Sequence, residues 1–272
     1  MLIRIRAPIS YQLAMQPHAT LLGLLEAYRR GELSRDEAAT RIEGLRIEQL
    51  GEFARLDLGR SARCGIPEVI LAEGKAPGPL ADIVARTVVS AGRCVVTRVS
   101  PEQADEIAGR AERDGFLAEY REVPRAVLAS RIQLPEKNGG IVAILTAGTA
   151  DLPAAEEAKL IAEEMGCDVR TAYDVGAAGI HRLFPALKSV LEAHAFIVAA
   201  GREGTLPAVV AGLVDRPVIG LPVSSGYGYM GGGRAALAAM LQSCSVLAVV
   251  NIDSGFTAGA FAARIATLVA GS

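Results

Sequence analysis

Apolar positions change their period along this chain, and the changes divide it. In "PHATLLGLLEAYRRGELSRDEAATRIEGLR" the spacing of Leu21, Leu24, Leu25 and Tyr28 predicts a short amphipathic helix with Gly31 as its C-cap. A second helix starts at "SRDEA", where Ser34 caps and Glu37, three residues on, completes a capping box. From about Asp57 to Arg131 the pattern alternates in type. "PEVILAEGK" reads as strand, "PLADIVARTVVSAG" as helix, "RCVVTRV" as strand, "PEQADEIAGRAERDG" as helix and "LAEYREVPRAVLASR" as extended chain. The Pro, charge and paired Gly of "LPEKNGG", Leu134 to Gly140, predict a linker.

Beyond it the alternation becomes regular. Strands "GIVAILTAGTAD", "CDVRTAYDVG", "FIVAAG", "PVIGLPVSSG" and "VLAVVNIDSG" are separated by helices "LPAAEEAKLIAEEMG", "IHRLFPALKSVLEAHA", "LPAVVAGLVD" and "GRAALAAMLQSC", and a helix from Thr257 to Val269 closes the series. Strands of Val, Ile and Ala without polar alternation belong to a parallel sheet covered on both faces. The expected fold class is therefore α/β: a helical arm over 1–56, a small α/β domain over 57–134, and a doubly wound, flavodoxin-like sheet over 135–272. Ligands of such sheets sit at the carboxyl ends of the strands. The turns "TAGTAD", "AYDVGAAG", "AAGREG", "PVSSGYGYMGGG" and "NIDSG" all fall there.

Composition narrows the function classes. With 272 residues a substantial core is available, and a formal net charge of -2 with 4% aromatics supplies neither a polybasic surface nor stacking platforms, so nucleic acid is not an expected partner. Although 51% of residues are hydrophobic, charged or Gly/Pro positions interrupt every apolar stretch before the roughly 18 residues of a membrane helix. "MLIRIRAPISYQLAM" lacks the apolar block and cleavage site of a secretory signal, so the cytoplasm is the expected compartment. Cys64, Cys94, Cys167 and Cys244 are scattered, which fits reduced thiols better than a disulfide framework or a metal knuckle.

Several residues could carry chemistry. The loop "SSGYGYMGGG" offers backbone N–H groups just before a helix and is suited to a phosphate or carboxylate, or is a connection without a ligand. Thr149 and Asp151 lie at a helix start, where Asp151 could cap or accept ribose hydroxyls. Asp174 and Asp253 also follow strands, in positions open to sugar or Mg²⁺ contacts or to ordinary turn chemistry. Glu203, between Gly201 and Gly204, is a candidate base or a solvated turn residue. His18, His181 and His194 have no metal spacing. Cys244 follows a helix, whose negative end opposes a thiolate, so packing is its leading role unless positive charge comes from elsewhere.

The run "GTLPAVVAGLVDRPVIGLPVSSG" is similar to aminoimidazole ribonucleotide carboxylases and carboxyaminoimidazole ribonucleotide mutases. This chain departs from them by Ala150 for a serine, by "AYDVGAAG" where a histidine is usual, and by Thr205 for a second histidine. The set "ARLDLGRSARCGIPEVILAEGK", "TAGTADLPAAEEA", "YDVGAAGIHR", "GREGTLPAVVAGL", "SSGYGYMGGGRAALAAMLQSC" and "VVNIDSGFTAG" resembles the LarB family of pyridinium-3,5-biscarboxylic acid mononucleotide synthases, from about residue 20 onward. The resemblance implies carboxylation of the pyridinium ring of nicotinic acid adenine dinucleotide at C5 and hydrolysis of its phosphoanhydride. AMP is released, and the other product starts the nickel-pincer cofactor of lactate racemase. It implies that Cys244 adds to ring C4, so that the cationic ring favours the thiolate, and that Glu203 handles the C5 proton. Gly148, Thr149, Asp151, Asp174, Gly176, Gly201, Gly204, Asp253 and the loop Ser224, Ser225, Gly226, Tyr227 and Gly228 would hold the ribose phosphate and ring carboxylate. Arg60, Arg63, Lys75 and Arg98 would face the adenylate and diphosphate, where guanidinium forks suit phosphate oxygens. CO₂ or bicarbonate is then a co-substrate, no organic cofactor is implied, Mg²⁺ is a candidate ion, and a homo-oligomer, with an octamer as candidate, is expected. A purine-pathway carboxylase or mutase and a non-catalytic adenylate-binding module are the alternatives.

Overall fold

The computed structural model describes residues 21–45, 47–50, 54–57, 59–132 and 135–271. Contacts divide the chain into a unit ending at Cys64 and a unit from Gly65 onward. In the first, α1 (Leu21–Arg29) and α2 (Arg35–Glu43) are the two expected helices. Gly31 takes φ +75. Both arms of the Ser34–Glu37 capping box form, with Ser34 N–H donating to Glu37 at 2.8 Å and Glu37 N–H to Ser34 Oγ at 3.2 Å. The stretch after α2, to which the sequence pattern assigns no element, forms an antiparallel hairpin of β1 (Glu48–Leu50) and β2 (Ala54–Leu56). A single turn of helix, α3 (Arg60–Cys64), follows. His18 lies outside the described residues.

The second unit carries two sheets. The smaller contains β3 (Val69–Leu71), β4 (Arg93–Thr97), β5 (Leu117–Arg121) and β6 (Ala126–Ser130), in the order β3-β4-β6-β5. Helices α4 (Pro77–Ala91) and α5 (Pro101–Asp114) connect and pack on it. Each has Pro in its first turn and a left-handed Gly, Gly92 or Gly115, at its end, the positions where a missing N–H and a missing Cβ suit a helix terminus. "LAEYREVPRAVLASR" is not one extended segment but the β5–β6 hairpin, turned at Glu122–Arg125, where Arg125 N–H donates to Glu122 O at 3.0 Å.

The larger sheet contains β7 (Ile141–Thr146), β8 (Asp168–Ala172), β9 (Ala195–Ala200), β10 (Val218–Pro222) and β11 (Ala248–Val249). All its pairings are parallel and the order is β8-β7-β9-β10-β11. Relabelled from the first strand of this sheet, that is the flavodoxin-like order 2-1-3-4-5. Helices α6 (Leu152–Glu164) and α10 (Gly255–Ala270) cover one face, with Ala154, Ala158, Ala258 and Ala262 buried against Val142, Ile144, Ile197 and Ile219. The other face packs α7 (Leu183–Lys188), α8 (Thr205–Ala211) and α9 (Arg234–Leu241) through Leu183, Leu206, Val210, Ala236 and Met240. Two elements are shorter than their sequence pattern. "IHRLFPALKSVLEAHA" gives only the six residues of α7, because Ser189 Oγ donates to Ala186 O at 2.7 Å and closes the last turn. "VLAVVNIDSG" pairs only through Ala248 and Val249, as an edge strand with one neighbour.

A third cluster joins the two sheets within this unit. Val95, Ala126 and Leu128 of the small sheet are buried with Leu160 and Ile161 of α6 and Ala260 of α10. Beside it Arg93 of β4 forms a two-armed ion pair with Glu164 of α6, one arm 2.6 Å long, with the side chains only 13% and 3% exposed. Helix α6 therefore carries the parallel sheet on one side and the small sheet on the other. Among the described residues, no helix is long and apolar enough to cross a membrane.

Candidate active site

In a sheet of this order the crevice opens where β7 and β9 send their chains to opposite faces. Asp151 sits at that point, after the turn that follows β7, and is 4% exposed. Its Oδ2 accepts from Gly148 N–H at 2.9 Å, and its Oδ1 from Gly201 N–H at 3.1 Å and Ser225 Oγ–H at 2.9 Å. One carboxylate thus ties together the loops after β7, β9 and β10. Burial raises its affinity for a proton, while the donors from Gly148, Ser225 and Gly201 oppose that shift. Asp151 organises the loops from inside, whereas Thr149 and Ala150 beside it are exposed.

The glycines there are required by close approach. A Cβ on Gly201 would lie 2.5 Å from Ser225 Oγ, and one on Gly226 would lie 2.5 Å from the backbone nitrogen of Arg202. The Arg202 guanidinium stacks over the Tyr227 ring at 4.4 Å, a cation–π contact between the same two loops. Asp174 follows β8. Its N–H donates to Thr146 Oγ1 at 3.0 Å and its Oδ2 accepts from Arg182 at 2.5 Å. Asp253 follows β11 and accepts from Ser224 N–H at 2.9 Å. In the loop of Ser224 to Gly233, Gly231 and Gly232 donate inward to Gly228 O and Gly226 O, so those N–H groups fold the loop rather than face a ligand. Glu203 is exposed on the turn before α8.

Cys244 is also exposed, but it lies in the connection from α9 to β11, at the amino end of the sheet. Glu203 lies at the carboxyl end. A five-residue strand separates such ends by on the order of 15 Å, so the two candidates for the chemistry are not neighbours within one chain. Ser245, next to Cys244, donates to Ala208 O of α8 at 2.9 Å and fixes that connection. His194 Nδ1 accepts from Ile141 N–H at 3.2 Å, a structural contact.

A cleft of about 560 Å³ opens between the carboxyl end of the large sheet and the small sheet. Ala150, Pro153, Ser224, Ser225 and Asp253 form one wall; Glu73, Arg98 and Arg125 form the other. Among the described residues five non-glycine positions have positive φ, and three of them line this cleft: Arg98 (φ 55), Arg125 (φ 49) and Asp253 (φ 54). The other two, Asp174 and Arg202, follow β8 and β9. Each such residue costs about 1–3 kcal/mol and persists where its surroundings hold it, commonly at ligand sites. Arg98 donates to Glu73 and to Asp253 O, both at 3.1 Å, bridging the walls.

Deeper in the same cleft is Glu157 of α6, only 6% exposed. It accepts from Thr97 Oγ1–H and Phe256 N–H, yet burial pushes its carboxyl up to about 7, with Arg98 opposing and Asp253 reinforcing the shift. Sequence reading missed Glu157 and Arg125. A signal existed for the first: Glu157 and Glu164 are seven residues apart, on the face of α6 that Ala154 and Ile161 mark as buried. Of the sequence candidates, Ser224, Ser225 and Asp253 line the cleft, and of the four cationic ones only Arg98 does. Lys75 instead donates to Leu71 O at 2.6 Å and is not among the cleft residues. In the first unit Arg63 pairs with Asp57 and donates to Gly44 O at 2.7 Å, and Arg60 opens α3.

Comparison with known proteins agrees with this architecture. Residues 47–131 match the LarB/PurE-like N-terminal domain, and residues 141–270 match the AIR carboxylase domain. An uncharacterized protein of Methanocaldococcus jannaschii is 41% identical over 92% of this chain and 98% of its own length. The N5-carboxyaminoimidazole ribonucleotide mutase of the same organism is 31% identical over 47% of this chain and 80% of its own. A probable mutase of that type from Methanothermobacter thermautotrophicus is 33% identical over 46% of this chain and 37% of its own. The domains are those of carboxylase- and mutase-type enzymes. The chain belongs to the LarB-type family, in which a LarB/PurE-like N-terminal domain precedes an AIR carboxylase domain.

Proposed function

We propose that this protein carboxylates the pyridinium ring of nicotinic acid adenine dinucleotide at C5 and hydrolyses the phosphoanhydride, releasing AMP and pyridinium-3,5-biscarboxylic acid mononucleotide. The observation that carries the reading is the construction of the cleft. The AIR carboxylase domain accounts for residues 141–270 and the mutase relatives cover less than half of the chain, but here one wall of the cleft comes from the small sheet, with Arg98 and Arg125 on it. A ligand filling both walls extends beyond one ribonucleotide, as a dinucleotide does.

In this reading the loops tied by Asp151 receive the ribose phosphate. The Cys244 thiolate adds to ring C4, forming a C–S bond and converting the cationic ring to an enamine-like dihydropyridine. C5 then attacks CO₂. Glu203 accepts the C5 proton, and the C–S bond breaks as aromaticity returns. The ring supplies the positive charge that a position beyond the end of α9 lacks. Because Cys244 and Glu203 lie at opposite ends of one sheet, the reading requires Cys244 from a second copy of the chain, and hence a homo-oligomer. CO₂ or bicarbonate is the co-substrate, no organic cofactor takes part, and Mg²⁺ is the candidate ion for the anhydride step. The cytoplasm is the proposed location.

The test is incubation with nicotinic acid adenine dinucleotide and bicarbonate, with and without Mg²⁺, followed by mass spectrometry. AMP together with a dicarboxylated mononucleotide is expected; the absence of both overturns the reading.

A further inference from the structure

We propose that the cleft between the two sheets is a phosphoryl-binding site in which Arg98 and Arg125 hold the anion and Glu157 takes up a proton as it binds. The proposal rests on the dinucleotide reading only for the natural ligand, whose diphosphate would occupy the site; the anion chemistry stands without it.

Three observations converge. First, the two guanidinium groups come from different segments of the small sheet, after β4 and in the β5–β6 turn, and both backbones take the left-handed conformation. Val99 N–H donates to Arg125 O at 2.7 Å, which couples the two segments. Arg98 spends one donor on Glu73 and one on Asp253 O, out of five. Arg125 has a single long contact, Nε to Val99 O at 3.4 Å; among the described residues its terminal nitrogens have no partner. Second, the opposite wall presents Ser224 and the first turn of α6, whose N-terminal end favours negative charge, while Ser225 there is held by Asp151. Third, the buried carboxyl of Glu157 lies beneath both walls. A phosphoryl group arriving beside an ionised Glu157 would be repelled. Beside a protonated one it is not, so binding and protonation are linked.

The charges around Glu157 are those of the cleft. Arg98 and Asp253 act on it directly, and Glu73 and Arg125 line the same space. On its own helix Glu156 pairs with Lys159 at 3.6 Å, and Glu164 is held by Arg93 of β4. Helix α10, which supplies the Phe256 N–H, has Arg264 as its charged residue, nine positions beyond Gly255.

The probe is diadenosine diphosphate, which carries the diphosphate bridge but no pyridinium to carboxylate and no phosphate group that titrates between pH 6 and 9. Isothermal titration of the full chain is expected to give affinity about fivefold to tenfold higher at pH 6 than at pH 8. At pH 8, buffers of different ionisation enthalpy should report net proton uptake. Glu157→Gln should make affinity independent of pH, and Arg98→Ala and Arg125→Ala should each weaken binding about tenfold or more at both pH values. Proton uptake by the unmodified chain needs no variant, so a variant that folds poorly does not leave the question open. Equal affinity at pH 6 and pH 8, or binding indifferent to both arginines, overturns the proposal. Should the probe bind as described while nicotinic acid adenine dinucleotide is not converted, the site stands and the carboxylation reading fails; conversion without probe binding has the reverse meaning.

Discussion

The Asp151 carboxylate accepts a hydrogen bond from the Ser225 hydroxyl at 2.9 Å across 74 residues of sequence, so the loop after β7 fixes the position of the loop after β10. The same oxygen receives Gly201 N–H, and the other receives Gly148 N–H. Replacement by alanine would leave three donors without their acceptor. Asp151→Ala is expected to destabilise the fold by about 2–4 kcal/mol and to remove activity, because the buried Gly201 N–H and the part-buried Gly148 N–H lose their acceptor at about 1 kcal/mol or more each, and Ser225 loses its anchor. Chemical denaturation together with a turnover assay checks both.

Stability should depend on pH through Glu157. Its carboxyl is lifted from 4.5 to about 7, so the folded chain binds this proton more tightly than the unfolded chain. Below about pH 4.5 both states hold the proton and the full contribution is present. As pH rises through 7 the buried group must ionise, and roughly 3 kcal/mol is lost. Glu157→Gln should therefore be more stable than the native chain at pH 8.5 and show no such advantage at pH 5. Denaturation midpoints at the two values decide it; an equal gap at both would mean that the carboxyl titrates as it does in the unfolded chain.

The ion pair between Arg93 and Glu164 joins the small sheet to α6. Arg93→Ala leaves a buried carboxylate alone and should cost about 3–5 kcal/mol, whereas replacing both by leucine or methionine should cost far less. A double-mutant cycle reads the difference as a coupling energy.

Two inactive variants should rescue one another. Cys244→Ala keeps Glu203, and Glu203→Gln keeps Cys244, so a site assembled from two copies is complete wherever one of each meets. Random mixing by co-expression should restore about a quarter of the sites. If mixtures stay as inactive as each variant alone, the two groups do not act across copies.

Gly226 meets the backbone of Arg202 where a Cβ would lie 2.5 Å from its nitrogen, and backbone cannot yield as a side-chain tip can. Gly226→Ala should cost about 1–3 kcal/mol and reduce substrate affinity by displacing Tyr227. Thermal unfolding and a KM measurement separate the two effects.

The parallel sheet was legible because β7, β9 and β10 are buried on both faces, so their apolar runs carry no competing helical period. The turns after these strands were legible for the same reason, since glycine and aspartate mark where each run ends. Less could be read where pairing is one-sided: β11 has a neighbour only in β10, and five apolar residues there yield two paired ones. The hairpin of β1 and β2 is three residues a side, too short for a period to register. Glu157 was hidden for a different reason. Its burial depends on Gly255 and Gly259 letting α10 lie against Ala154 and Ala158 of α6, about a hundred residues away, and local pattern cannot express that approach. Likewise Cys244 was visible as a cysteine after a helix, but the end of the sheet it occupies follows from topology.

Helix α6 begins just after Asp151 and ends at Glu164, and along its length it meets Thr97 through Glu157 and Arg93 through Glu164. Both contacts fall on one strand, β4, so the small sheet is pinned at two heights to the helix whose first turn follows the carboxylate that gathers the crevice loops. The two walls of the cleft thereby share a single buttress, and their spacing is written into the length of α6.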